Sequence, residues 1–309
     1  HNAGSPMLGL LAWIIGGIIT MASALTVAEI AAAIPKTGGL YVYLEELYGD
    51  AWGFLLGWVQ TVISFPAAAA ALAIAFSTYT TFFIPLNPLE QKLLAVGVLA
   101  FVTVMNILST KYGGMVQTLS TIAKLIPISI IILWGFINGE ANDFRTASVI
   151  TEGAGFGAAV LGTLWAYDGW ISVTNMAGEL KNPAKQLPRA IIIGLIIVIT
   201  VYLLINVALL NIIPIEQITS SETPASEAAV VLFGNGGAAF IAAGIIVSVF
   251  GALNGYVMTA ARVPFSMGER KQLPYSASLM KLHRRFGTPA NALILESALA
   301  VIYIFSGTF

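Results

Sequence analysis

Long apolar runs separated by short polar stretches organise this chain. A helix needs about 20 apolar residues to cross a bilayer, and eight runs are of that order. They are about Met7–Ile34, Ala51–Ile84, Gln91–Ser109, Met115–Ile137, Phe156–Glu179, Arg189–Ile213, Ala238–Arg262 and Pro289–Phe305. None shows the two-residue alternation of a membrane strand. The pattern predicts an all-α polytopic membrane protein, with about eight transmembrane helices in a single transmembrane domain over 1–309. The second run is longer than a crossing requires and contains Pro66, which predicts a tilt or bend. Between the first two runs, "PKTGGLYVYLEELYGD" (35–50) alternates aromatic and acidic residues after a Gly-Gly turn. It predicts a short helix along the inner interface, with Tyr41, Tyr43 and Tyr48 at headgroup level. An ordinary tight loop is the alternative.

Composition agrees with the pattern. Of 309 residues 58% are hydrophobic and only 9% charged, and the mean hydropathy is +0.87. Soluble domains carry roughly a quarter charged residues, so this chain has too few charges to cover a water-facing surface. A net charge of -1 gives no basic surface for nucleic acid. Cysteine is absent, which excludes disulfides, thiolate metal sites and cysteine nucleophiles within the chain. Only His1 and His283 offer imidazole, and they lie far apart in sequence. No cofactor or metal site is expected, and no nucleophile–base pair points to an enzyme.

Positive charge sets orientation. One set of connections holds the eleven residues Lys36, Lys111, Lys181, Lys185, Arg189, Arg262, Arg270, Lys271, Lys281, Arg284 and Arg285, against Lys92 and Arg145 in the alternate set. The first set is therefore cytoplasmic, which places residues 1–6 outside the cell and the protein in the plasma membrane. The outer connection Pro214–Asn235 carries Glu216, Glu222 and Glu227 but no cation.

Ionisable groups deep in a bilayer cost about 2.5–3.5 kcal/mol each and mark functional candidates. Lys124 lies near the middle of the fourth run, beside Thr118, Ser120, Thr121 and Ser129. It is either a structural lysine bonded to carbonyls of neighbouring helices or part of a switch. Asp168 is the second, inside "GTLWAYDGWISV" (162–173). Gly169 beside it predicts a broken helix. Irregular backbone at membrane depth survives only where it is buried in protein or lines a cavity, and transporters aim such helix ends at charged substrate groups. Trp165 and Trp170 would wall that cavity, and Asp168 either caps the freed backbone or contacts the substrate. "GAGFGAA" (153–159) and the Gly53–Gly57 spacing read as close helix packing. In "SVFGALNGYVMTAARV" (248–263), Ser248, Asn254 and Thr259 are either interhelical glue or the lining of a substrate path.

Four stretches in order, "IPKTGGLYVYLEELYG", "STKYGGMVQTLSTIAKLIPI", "LWAYDGWISVTNMAGELKNPAKQLPRA" and "FGALNGYVMTAARVPFSMGERKQLP", resemble the L-type amino acid transporter family of the amino acid–polyamine–organocation superfamily. The resemblance implies a leucine-transporter-type fold of inverted repeats, of which this chain would hold family helices 2 to 9. The family's first helix, with its Gly-Ser-Gly break, and its helices 10 to 12 have no counterpart in the sequence. By the same resemblance "WAYDGW" is the unwound sixth helix, so Trp165, Ala166, Tyr167, Asp168 and Gly169 would line the substrate site. Trp165 stands where the family usually has Phe. Lys124 matches the lysine that replaces a sodium ion of sodium-coupled relatives and would bridge neighbouring helices, with Ser248 beside it. Asn254 would face the substrate from the eighth helix. These implications add up to sodium-independent exchange of small neutral L-amino acids (serine, threonine, alanine) by alternating access. A proton-coupled symporter and a passive channel are the alternatives. The outer turn Pro85–Glu90 has no cysteine for a disulfide to a heavy subunit.

Overall fold

The computed structural model describes residues 4–139, 155–221, 223–234 and 236–306. Arg145, Glu222, Asn235 and residues 153–154 of "GAGFGAA" lie outside the described residues. Among the described residues every regular element is helical. In chain order they are α1 (Pro6–Ala33), α2 (Leu40–Tyr48), α3 (Asp50–Val59), a π turn (Gln60–Ser64), α4 (Phe65–Thr80), α5 (Pro88–Leu108) and α6 (Thr110–Asn138). There follow α7 (Gly155–Ala166), a 3-10 helix (Trp170–Glu179), α8 (Pro183–Ile212), α9 (Ile215–Ser220) and α10 (Pro224–Phe233). The chain continues with α11 (Gly236–Ala260), α12 (Arg262–Glu269), α13 (Ser276–Leu279) and α14 (Ala290–Ser306).

Six stretches among the described residues are helical, long and apolar enough to cross a membrane: α1, α3 through α4, α5, most of α6, α8, and α11 through α12. The remaining two of the eight expected runs differ for separate reasons. The fifth is broken into α7 and the 3-10 helix, and α14 has only 17 residues, about 26 Å of rise. After α8 the chain forms the short helices α9 and α10, and the Glu227 carboxylate accepts from Gln217 Nε2 at 2.6 Å and from the Ser221 hydroxyl.

The chain forms two compact units. Unit 1 comprises 1–29, 125–170 and 188–242, and unit 2 comprises 30–124, 171–187 and 243–309. In unit 2, α4, α5, α11 and α14 bury Ala69, Ala73, Ala95, Leu99, Leu253 and Ala300 against one another. The alanines allow the close approach on which membrane helices rely in place of a hydrophobic driving force. A π turn stands just before Pro66, where Phe65 N donates to Gln60 O. Proline has no N–H, so the Val62 carbonyl loses its helical donor. Tyr303 Oη of α14 supplies one at 3.1 Å.

In unit 2 the Gly-Gly turn forms, with φ of +112° at Gly38 and +61° at Gly39. A Cβ on Gly39 would sit 2.2 Å from Asn175 Oδ1, so only glycine fits there. The expected helix does follow, as α2. Its tyrosines are placed differently from the expectation. Tyr41 and Tyr43 are 0% and 2% exposed, packed inside the protein, and only Tyr48, at 72%, is free to meet headgroups. The tight turn is the reason: it brings α2 against α12, where Tyr41 Oη donates to Ser266 Oγ at 3.1 Å and Ser266 donates to Thr37 O at 2.9 Å. Burial pushes the Tyr41 phenol up to about 12, against the opposing effect of the Ser266 bond. Beneath α2, Gly53 and Gly57 pack closely as their spacing predicts. Added Cβ atoms would meet Glu45 Cβ at 2.4 Å and Met267 Sδ at 2.7 Å.

Candidate functional site

The fifth run breaks at "AYDGW". α7 stops at Ala166, residues 167–169 form a turn, and the 3-10 helix begins at Trp170. Gly169 has φ of +100°, a backbone state that side chains disfavour. Two bonds close the turn: Tyr167 N to Thr163 O at 3.0 Å and Asp168 N to Trp165 O at 3.2 Å. Beyond them, the N–H group of Gly169 has no backbone partner among the described residues. It is an orphan donor of the kind that helix starts leave behind.

The carbonyl side of the break is satisfied within unit 1. Tyr202 Oη of α8 donates to Ala166 O at 2.9 Å, and Tyr167 Oη donates to Trp13 O of α1 at 3.1 Å. The rings of Trp13, Tyr167 and Tyr202 lie 5.1–5.7 Å apart in edge-on and tilted pairs, the geometry aromatic quadrupoles favour. Thr163 adds a bond to Ala12 O at 3.2 Å. An added Cβ on Gly16 would meet Thr163 Oγ1 at 2.1 Å, so α1 touches α7 through its glycine. The break is thus held from its carbonyl end, with a donor left over at the other.

The expected site residues separate on this geometry. Gly169 is the break itself. Ala166 contributes its carbonyl to Tyr202. Tyr167 is 2% exposed and is spent on packing. Asp168 is exposed, and its carboxylate makes no hydrogen bond among the described residues, so it does not cap the freed N–H group as the sequence suggested. Trp165, expected to wall a cavity, is 85% exposed on unit 1.

In unit 2, Lys124 is half-buried on α6 and has no ion pair or hydrogen bond among the described residues. The bridging bonds expected of it are therefore not made there. Ser248 is half-buried on α11. Asn254, expected to face a substrate, is 0% exposed. Its two amide hydrogens go to Gly113 O at 3.1 Å and Gln117 Oε1 at 2.9 Å, and its oxygen accepts from Asn106 Nδ2 at 2.9 Å. Both of its donor hydrogens are thereby used, and the residue ties α11 to α5 and α6. Asn254→Ala is expected to lower stability by about 2 kcal/mol, from three interhelical bonds at about 0.6 kcal/mol each, while leaving substrate affinity unchanged. Thermal unfolding and uptake kinetics on the same preparation check both halves.

Two features escaped the sequence reading. Arg262, counted only as an inner charge, is 2% exposed and holds Glu179 at the end of the 3-10 helix. Glu296 sits in the middle of α14 and is 5% exposed. It was legible by the rule that singled out Lys124, a lone ionisable residue within an apolar run.

Comparison with known proteins adds the family. The family model described as amino acid permease matches residues 1–308. The serine/threonine exchanger SteT of Bacillus subtilis (strain 168) is 48% identical over 301 residues, covering 97% of this chain and 69% of its own length. The b(0,+)-type amino acid transporter 1 of Homo sapiens is 33% identical over 314 residues, covering 96% of this chain and 62% of its own. The Asc-type amino acid transporter 1 of Mus musculus is 32% identical over 331 residues, with 100% and 60% covered. The chain therefore spans between 60% and 69% of the length of these relatives.

Proposed function

Because this chain belongs to the amino acid permease family, we propose that it exchanges small neutral L-amino acids across the plasma membrane, independently of sodium. The observation that carries this reading is the break at Gly169. It leaves the Gly169 N–H group without a backbone partner among the described residues, inside a run otherwise apolar enough to span. A helix start of this kind favours a carboxylate, through its free donors and its partial positive charge. The other half of an amino acid zwitterion is an ammonium, and the exposed Asp168 beside the break offers it a counter-charge. The substrate class follows the printed name of the serine/threonine exchanger of Bacillus subtilis. Sodium independence rests on Lys124, which by its resemblance to the family's lysine would stand where sodium-coupled relatives bind their ion. The bias of positive charge supports an extracellular start for α1.

Proteoliposomes loaded with unlabelled serine test the reading. Uptake of labelled serine or threonine should be stimulated by the internal amino acid and unchanged when choline replaces external sodium. Uptake without trans-stimulation would point to a passive channel. Accumulation driven by an inward proton gradient alone would point to a symporter. Either result overturns the proposal. Lys124→Ala should reduce exchange at least about tenfold, equivalent to 1.4 kcal/mol, with folding intact. No described partner is left unpaired by the change, and a partly buried charge is removed. Wild-type exchange by a well-folded Lys124→Ala protein would refute the role.

A further inference from the structure

We propose that Glu296 is a proton-binding site in the core of unit 2, holding its proton as a neutral carboxylic acid beside a single water molecule. Glu296 projects from α14, about 9 Å of rise from the helix start, and is 5% exposed. Both carboxyl oxygens are buried without a hydrogen-bond partner. They face a small cavity of about 10 Å³ whose walls include Phe65, Ala69, Leu99, Val257 and Ala260. That volume is the least that admits one water.

The surroundings decide the protonation state. A carboxylate buried without a partner is among the most expensive groups a fold can hold, and in practice such a group neutralises instead. No cation lines the cavity from α4, α5, α11 or α14. Among the described residues the only other titratable lining group is Tyr256 of α11, and the π turn, α12 and α13 contribute no lining residue. The nearest hydroxyl in sequence, Ser297, also lines the cavity, but its proton is committed. Thr103 Oγ1 donates to Leu99 O at 2.7 Å, so in the 2.6 Å contact between Ser297 and Thr103 the serine must be the donor. A carboxylate would therefore gain nothing from Ser297. A carboxylic acid supplies its own hydrogen and can give it to the water.

The site has a stability consequence with a defined sign. A group that keeps its proton in the folded state at pH values where the unfolded chain releases it makes the fold weaker as pH rises. Glu296 would thus set an alkaline limit on the packing of α14 against α4, α5 and α11. This inference does not depend on the transported substrate, and its test needs no transport.

The experiment is infrared spectroscopy of the purified protein in lipid nanodiscs, with a hydrogen–deuterium shift to identify protonated carboxyl groups. Near neutral pH a protonated-carboxyl carbonyl band is expected in the wild type and is expected to be lost in Glu296→Gln. Between about pH 5 and pH 8 the wild-type melting temperature should fall by several degrees more than that of Glu296→Gln, which is neutral throughout. A wild-type spectrum without such a band at neutral pH overturns the proposal. So does a band that persists in Glu296→Gln, or parallel melting profiles of the two proteins. If the variant does not fold, the alkaline titration of the wild-type band decides alone: disappearance on raising pH supports the site, and no band at any pH above the ordinary carboxyl range refutes it.

Discussion

Glu179→Ala is expected to destabilise the fold by about 3 kcal/mol, which would consume a large share of the net stability of an ordinary domain. The reason lies in what the substitution leaves behind. Arg262 Nε and Nη2 meet the two oxygens of Glu179 at 2.6 and 3.1 Å, and Nη1 donates to Met258 O. The arginine side chain is 3% exposed and the glutamate 37%. Removing one partner of a buried pair strands the other charge, at a cost of about 3–5 kcal/mol. The partial exposure of Glu179 and the surviving bond to Met258 put the expectation at the low end. Two further variants separate charge from contact. Glu179→Gln keeps an acceptor and should lose less. Arg262→Met removes the buried charge itself and leaves only a carboxylate that water can reach, so it should also lose less than Glu179→Ala. Thermal unfolding of the three variants in one lipid system gives the ranking. Equal stability of Glu179→Ala and wild type would mean that Arg262 is solvated in a way its burial does not show.

That pair also shows why the sequence was legible in parts. Membrane character, helix type and the break at Gly169 follow from run length, periodicity and one glycine, all of them local quantities. The Gly53–Gly57 packing is equally local, since small residues four apart mark one helix face. The Glu179–Arg262 pair joins residues 83 apart, and charge counting places an arginine only on a side of the membrane. Asn254 carries the same lesson from the other direction. A polar residue in a span reads alike whether it faces a substrate or a neighbouring helix, and only the positions of Asn106, Gly113 and Gln117 distinguish the two. Tyr41 and Tyr43 read as interfacial because aromatic residues next to acidic ones commonly are. The turn at Gly38–Gly39, which folds them inward, depends on contact with Asn175 far along the chain. By residue type Asp168 reads equally as a cap or a substrate contact, and only the hydrogen bonds of the folded chain, in which its carboxylate makes none among the described residues, separate the two.

The break itself yields the largest functional expectation. Gly169→Val should abolish measurable exchange, or reduce it by roughly 5- to 150-fold, while the protein still inserts and folds. No atom lies within 4 Å of where a Cβ would be, so the new side chain meets open space and the cost is confined to the backbone. At φ of +100° that cost is the strain of a β-branched residue in a region it avoids, about 1–3 kcal/mol. The chain can relieve it only by rotating the peptide units of 168–170, which swings the Gly169 N–H group away from its present direction. If that donor binds the substrate carboxylate, the strain appears as lost affinity, at 1.4 kcal/mol for each factor of ten. Gly162→Ala is the internal control. It lies in the same run, within α7, and an added Cβ there also meets nothing within 4 Å. Its backbone is helical, so alanine should be neutral or stabilising by up to about 1 kcal/mol and should leave exchange unchanged. Uptake by both variants, with surface expression measured in parallel, separates the two cases. A Gly169→Val protein that exchanges serine at the wild-type rate would show that the orphan donor plays no part in binding, and the proposed site would fall with it.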